Sequence, residues 1–107
     1  MHTALTLPRD AIADLCRGLQ VERLELFGSA AGSEFDPQRS DLDFLVTFCP
    51  EATNLENYLA LAEGLERLLG RKVDLVIERA IRNPYFRRAV DASRQPVYAR
   101  SEQEAAV

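Results

Sequence analysis

The sequence predicts a small α+β domain, a mixed β-sheet with helices packed mainly on one face and a site at one edge. Three observations predict it. Short apolar runs at Glu22 to Phe27, Leu42 to Phe48 and Lys72 to Ile77 have the length and composition of strands. Stretches with apolar residues at helical spacing flank them. The 107 residues allow one domain, 1–107, with a modest core, and leave no room for a separate substrate domain.

Pro8 to Leu19 reads as the first helix, with Pro in its first turn and Ile12, Leu15, Cys16 and Leu19 along one stripe. The strand Glu22 to Phe27 then delivers Gly28 and Ser29 at its end. A short helical turn over Ala30 to Ser33 and a surface loop over Glu34 to Ser40, with Pro37 inside it, precede the second strand, Leu42 to Phe48. Pro50 breaks the chain, and Thr53 with Glu56 forms a capping box that opens a helix to Leu69, closed by Gly70. Its expected core stripe is Leu55, Tyr58, Leu59, Ala62, Leu65 and Leu69, which Leu61 and Leu68 widen. The third strand is Lys72 to Ile77. Another helix starts near Asn83-Pro84 and runs to Ala92, and Gln95 to Ala99 is an edge strand that tolerates Pro96. Residues 1–7 and 100–107 read as flexible termini.

Composition narrows the function. Hydrophobic residues at 47% and charged residues at 28% describe an ordinary globular protein, and no apolar run approaches the length of a membrane span. Met1 to Leu7 has neither the basic start nor the apolar length of a signal peptide, so a cytoplasmic location is expected. A formal net charge of −4 argues against a general grip on nucleic acid, which needs a basic face. Cys16 and Cys49 lack Cys or His neighbours at ligand spacing and read as reduced, packed thiols. The sole histidine, His2, stands at the terminus, so no Ser-His or Cys-His pair is expected.

The chemistry is concentrated between Leu24 and Val46. A strand that stops at Gly28-Ser29 presents backbone N–H groups and a hydroxyl beyond its end, a corner suited to anions. In Asp41-Leu42-Asp43 the two-residue period of a strand puts both carboxylates on one face, where they repel unless a proton or a cation lies between them. Mg²⁺ suits that setting, held by one or two carboxylates and completed by substrate phosphates. Either half alone is common, as a turn or as a solvated strand edge. In succession, with the aspartates opening the apolar run Phe44-Leu45-Val46, they indicate phosphate and metal chemistry. Rival motifs do not fit: the only lysine is Lys72, which excludes a phosphate loop of the Walker type, and the calcium-loop pattern lacks its Gly and closing Glu. Asp74, an acid inside Val73-Asp74-Leu75-Val76, is a third candidate, because an ionised carboxylate buried among apolar residues needs a cation or donors.

The stretch Leu26-Phe27-Gly28-Ser29-Ala30-Ala31-Gly32 followed by Asp36-Pro37-Gln38-Arg39-Ser40-Asp41-Leu42-Asp43-Phe44-Leu45-Val46 resembles the motif of the DNA polymerase β-like nucleotidyltransferase superfamily. It is most similar to the minimal nucleotidyltransferases (MNT) of prokaryotes, over about residues 8 to 99. The resemblance implies the nucleotidyltransferase fold and a Mg²⁺-dependent transfer of AMP from ATP to a hydroxyl. Asp41, Asp43 and Asp74 would be the catalytic, metal-binding triad of a two-metal site, with Gly28 and Ser29 binding the nucleotide phosphates. It further implies an antitoxin that pairs with a HEPN ribonuclease toxin in a hetero-oligomer and modifies a tyrosine of it. Two other readings are an antitoxin that acts by binding alone and a small-molecule nucleotidyltransferase of the aminoglycoside-modifying sort. One departure stands out. Many minimal members carry a basic residue before the second glycine, whereas Ala30-Ala31-Gly32 has none, which leaves an Arg of the 79 to 88 cluster or of a partner to stand in. Those arginines, Arg79, Arg82, Arg87 and Arg88, otherwise read as a solvated helix face or a partner contact.

Overall fold

The computed structural model describes residues 7–28 and 41–100. Ser29, the expected turn at Ala30 to Ser33 and the loop before Asp41 lie outside the described residues. The elements are α1 (Arg9–Gly18), β1 (Val21–Phe27), β2 (Leu42–Phe48), α2 (Leu55–Leu69), β3 (Val73–Ile77), α3 (Pro84–Ser93) and β4 (Gln95–Ala99). Single 3-10 turns at Pro50–Ala52 and Glu78–Ala80 join them.

The strands form one mixed sheet in the order β3-β2-β1-β4. β1 runs antiparallel to β2 and β4, and β2 runs parallel to β3. α2 is the crossover between the two parallel strands, as a parallel pair requires. β4 is an edge, which is why Pro96, with no N–H to give, is accommodated beside Glu25.

The period-2 alternation divides the sheet into two unequal faces. Leu24, Leu26, Leu42, Phe44, Val46, Val73 and Leu75 point to one side, where Ile12 and Cys16 of α1 and Leu61 and Leu65 of α2 cover them. Phe27 and Leu45 point to the other, where Val90 of α3 covers them. Two helices thus pack on one face and one on the other. Burial alone pushes the Cys16 thiol up to about 12, outweighing the pull of Arg17, so it packs as a small apolar group. No helix among the described residues is long and apolar enough to cross a membrane.

α2 departs from the sequence reading at its start and on its face. Its N-cap is Asn54, whose side chain accepts from Asn57 N at 2.8 Å, while the Thr53 hydroxyl donates back to Cys49 O at 3.1 Å. The 3-10 turn at Pro50–Ala52 uses Thr53 to close itself and passes the cap to the next residue. Leu61, Gly64 and Leu65 are buried and Tyr58, Ala62 and Leu69 of the expected stripe pack against the core, whereas Leu55 is 70% and Leu59 47% exposed. α1 meets the helix at Gly64, where Leu15 comes so close that a Cβ would lie 2.7 Å from its Cδ2. Asn54→Ala should therefore cost about 1 kcal/mol in urea unfolding, and Thr53→Ala clearly less.

Candidate active site

β1 brings Gly28 to one end of the sheet, and β2 starts at that same end with Asp41 just before it and Asp43 at its second position. β3, parallel to β2, starts there too. The register pairs Phe27 with Asp43 and Asp43 with Asp74. Phe27, Asp43 and Asp74 therefore form a row across three adjacent strands on the α3 face, and Leu42 and Val73 turn to the other.

Asp43 and Asp74 stand side by side on adjacent strands, and burial first, then Asp74 and the charge of Asp41, push the Asp43 carboxyl up to about 6. Two carboxylates on one face of adjacent strands repel each other, which favours the protonated form of Asp43. Hard oxygen donors so placed are of the kind Mg²⁺ prefers. Asp41 is exposed at the strand entrance, near enough for Asp43 to feel its charge. Among the described residues, no three acidic, His or Cys side chains already converge as a metal cluster. The structure thus brings two of the three expected acids into contact and leaves Asp41 beside them.

Asp74 is exposed, contrary to the burial expected of an acid in an apolar run. β3 is the sheet edge, and on its α3 face Val76 packs against the Phe27–Leu45–Val90 cluster while Asp74, nearer the strand start, is left in solvent. Its value to the site comes from register with Asp43.

Gly28 has φ +77°, the left-handed region, and a Cβ there would lie 2.7 Å from Asp43 Oδ2. Only a glycine lets the backbone turn at this point and the Asp43 carboxylate lie against it. Its N–H, expected to face phosphate, donates to Ser93 Oγ at 2.9 Å. Gly28→Ala should destabilise the protein by about 1–2 kcal/mol from the backbone conformation alone, read by thermal unfolding, and displace Asp43 besides.

The arginines sort into two kinds. Arg87 Nη1 donates to Glu78 Oε2 at 3.0 Å, while Arg79, Arg82 and Arg88 are exposed, as a solvated face requires. Arg94, which the sequence reading did not single out, makes the larger contribution. Its guanidinium bonds both oxygens of Glu25, both of Glu78 and, at 2.7 Å, Asp91 Oδ1. Arg23 adds a bond to Glu78 at 3.1 Å. This network fixes α3 across the sheet beside the row that holds Asp43.

A carboxylate pair at the shared end of parallel strands, against a glycine corner, has the donor chemistry that phosphate-bound divalent cations require, and comparison with known proteins gives the chain a family. The model of the nucleotidyltransferase domain family matches residues 9–97, and the chain belongs to that family. It is a nucleotidyltransferase. A Methanocaldococcus jannaschii relative named "putative protein adenylyltransferase" is 38% identical over 73 residues, 67% of this chain and 72% of the relative. A solved minimal nucleotidyltransferase superposes with a TM-score of 0.69 at 39% identity, covering 82% of this chain and 87% of that one. Two more distant structures share the fold. One is a toxin–antitoxin with AMP-PNP, with a TM-score of 0.68 at 22% identity over 94% of this chain and 80% of that one. The other contains a tri-AMPylated HEPN toxin with its MNT antitoxin from Shewanella oneidensis, with a TM-score of 0.61 at 21% identity over 92% of this chain and 74% of that one.

Proposed function

We propose that the protein is a Mg²⁺-dependent adenylyltransferase that moves AMP from ATP to a hydroxyl acceptor, a tyrosine of a HEPN-type ribonuclease toxin with which it assembles as antitoxin. The observation that carries the reaction is the register that sets Asp43 beside Asp74 on adjacent parallel strands, against the Gly28 corner. The acceptor is argued from relatives, from the adenylyltransferase name of the curated one and from the AMPylated toxin in the Shewanella assembly.

In this reading Asp41, Asp43 and Asp74 hold the divalent cations, and Gly28 and Ser29 form the nucleotide corner. Bound Mg²⁺ supplies neutralisation of phosphate charge and a lowered pKa for the attacking hydroxyl. A cation between the carboxylates would favour the ionised form of Asp43. Gly28 keeps the backbone clear of the Asp43 oxygens and turns the chain toward the phosphates. The acceptor oxygen then bonds to the α-phosphorus, the bond to the bridging oxygen breaks, and pyrophosphate leaves. ATP is a cytoplasmic metabolite, so a cytoplasmic protein is proposed with it.

The test is label transfer. Purified protein, Mg²⁺ and ATP labelled at the α-phosphate are incubated with the product of the adjacent gene, and both proteins are weighed intact. AMP on the partner, absent when its tyrosines are changed to phenylalanine, is the expected result. A tight complex with no transfer would replace the proposal with an antitoxin that acts by binding, and neither transfer nor complex would direct it to small-molecule acceptors.

A further inference from the structure

Helix α3 reaches the glycine corner through one hydroxyl. Ser93 Oγ, in the last turn of α3, donates to Ala89 O at 3.2 Å and accepts from Gly28 N at 2.9 Å. With its proton engaged by the helix carbonyl, the oxygen presents a lone pair to the Gly28 amide. That amide sits at a strand end, where the sheet ladder supplies no acceptor.

The helix behind this hydroxyl is firmly seated. Phe86, seven residues before Ser93, meets Phe27 edge-on at 5.9 Å between ring centroids. Arg87 and Arg94, also seven apart, both bond Glu78, and Val90 between them is fully buried. Residues seven apart share a side of a helix, so α3 lies with one side toward the Phe27–Gly28 corner and another toward the Glu25–Glu78 acids. Gly28 in turn has no room for a Cβ beside Asp43 Oδ2. A displacement of Gly28 by a few tenths of an ångström is therefore felt by that carboxylate.

We propose that Ser93 is a positioning residue of the nucleotidyl-transfer site, which fixes the Gly28 corner and through it the Asp43 carboxylate by tying both to α3. The inference rests on the reading of Gly28 and Asp43 as parts of the nucleotide site. It assigns to α3, otherwise a cover for the small second core, the task of holding that site in shape.

The experiment compares wild type, Ser93→Ala and Ser93→Thr by exchange of the Gly28 amide in ¹⁵N spectra, by affinity for a non-hydrolysable ATP analogue with Mg²⁺, and by thermal unfolding. In Ser93→Ala the Gly28 amide should exchange about 3- to 10-fold faster and analogue affinity should fall about 3- to 10-fold, as loss of one hydrogen bond predicts. Ser93→Thr, which keeps the hydroxyl, should restore both. Unchanged Gly28 exchange and affinity in Ser93→Ala, or a loss that Thr does not rescue, would overturn the proposal. If wild type binds no analogue, the nucleotide-site reading fails by itself. Gly28 exchange then decides whether Ser93 holds the corner: faster exchange in Ser93→Ala supports the anchor, and unchanged exchange removes it.

Discussion

Asp43→Asn is expected to lower nucleotidyl transfer by about 100- to 1,000-fold, the scale seen when one group that stabilises transition-state charge is removed, and yet to make the metal-free protein more stable at neutral pH. The two effects share a cause. Folding moves the Asp43 carboxyl from its ordinary value of 3.8 up to about 6, through burial, Asp74 and Asp41. A raised carboxyl pKa means that the fold favours the protonated form. Its stabilising contribution is complete below about pH 4, the unfolded value, and is eroded as the pH rises through about 6. Asn cannot ionise and can still donate to Asp74. The unfolding curves of wild type and Asp43→Asn in chelator should therefore coincide near pH 4, diverge as the pH rises toward 6 and stay apart by a constant amount above it. The variant should be ahead by about 1–2 kcal/mol once solvent screening of a partly exposed carboxylate is allowed for. A variant that lost activity and stability together at pH 7.5 would show that Asp43 is a structural acid.

Arg94→Met should be the most damaging single change to the fold. It removes the partner of Glu25, which is only 8% exposed, and one of three arginines on Glu78. Breaking a buried ion pair from one side typically costs about 3–5 kcal/mol, and in a domain of this size each kcal/mol moves Tm by about 4–8 °C. The lower part of that range is expected, because Arg23 remains 3.6 Å from Glu25. Burial by itself would raise Glu78, but hydrogen bonds from Arg87, Arg94 and Arg23 outweigh it and bring the carboxyl down to about 2. A depressed carboxyl stabilises above its unfolded value of about 4.5, and that contribution is lost as the pH falls through 2. The gap between wild type and Arg94→Met should therefore narrow from pH 4.5 downward. Adding Glu25→Gln to Arg94→Met should recover part of the loss, since the charge left behind is what costs most.

The strands and the aspartate pair were legible because a strand's side-chain period is 2, so Asp41-Leu42-Asp43 announces its own facing. Asp74 stands out in the sequence as an acid expected to be buried, whereas β3 is an edge, the carboxylate is exposed, and register places it beside Asp43. The α2 cap moved by one residue because Thr53 and Asn54 are equally good caps, and the 3-10 turn that decides between them is not visible in local propensity. Leu55 and Leu59 fit the helical stripe by spacing. In the fold they are exposed, and α1 meets the helix at Gly64 through Leu15. The Glu25–Arg94 and Gly28–Ser93 contacts join residues 69 and 65 positions apart, so no window of sequence contains both partners.

The most direct test of the central claim is calorimetric titration of a non-hydrolysable ATP analogue, with and without Mg²⁺, into wild type and into Asp43→Asn with Asp74→Asn. Wild type should bind in a Mg²⁺-dependent manner, and the double variant, folded and with two fewer ionisable carboxylates to repel each other, should lose the Mg²⁺-dependent part. Equal Mg²⁺-dependent binding by the two proteins would contradict the assignment of the carboxylate pair as the metal and nucleotide site.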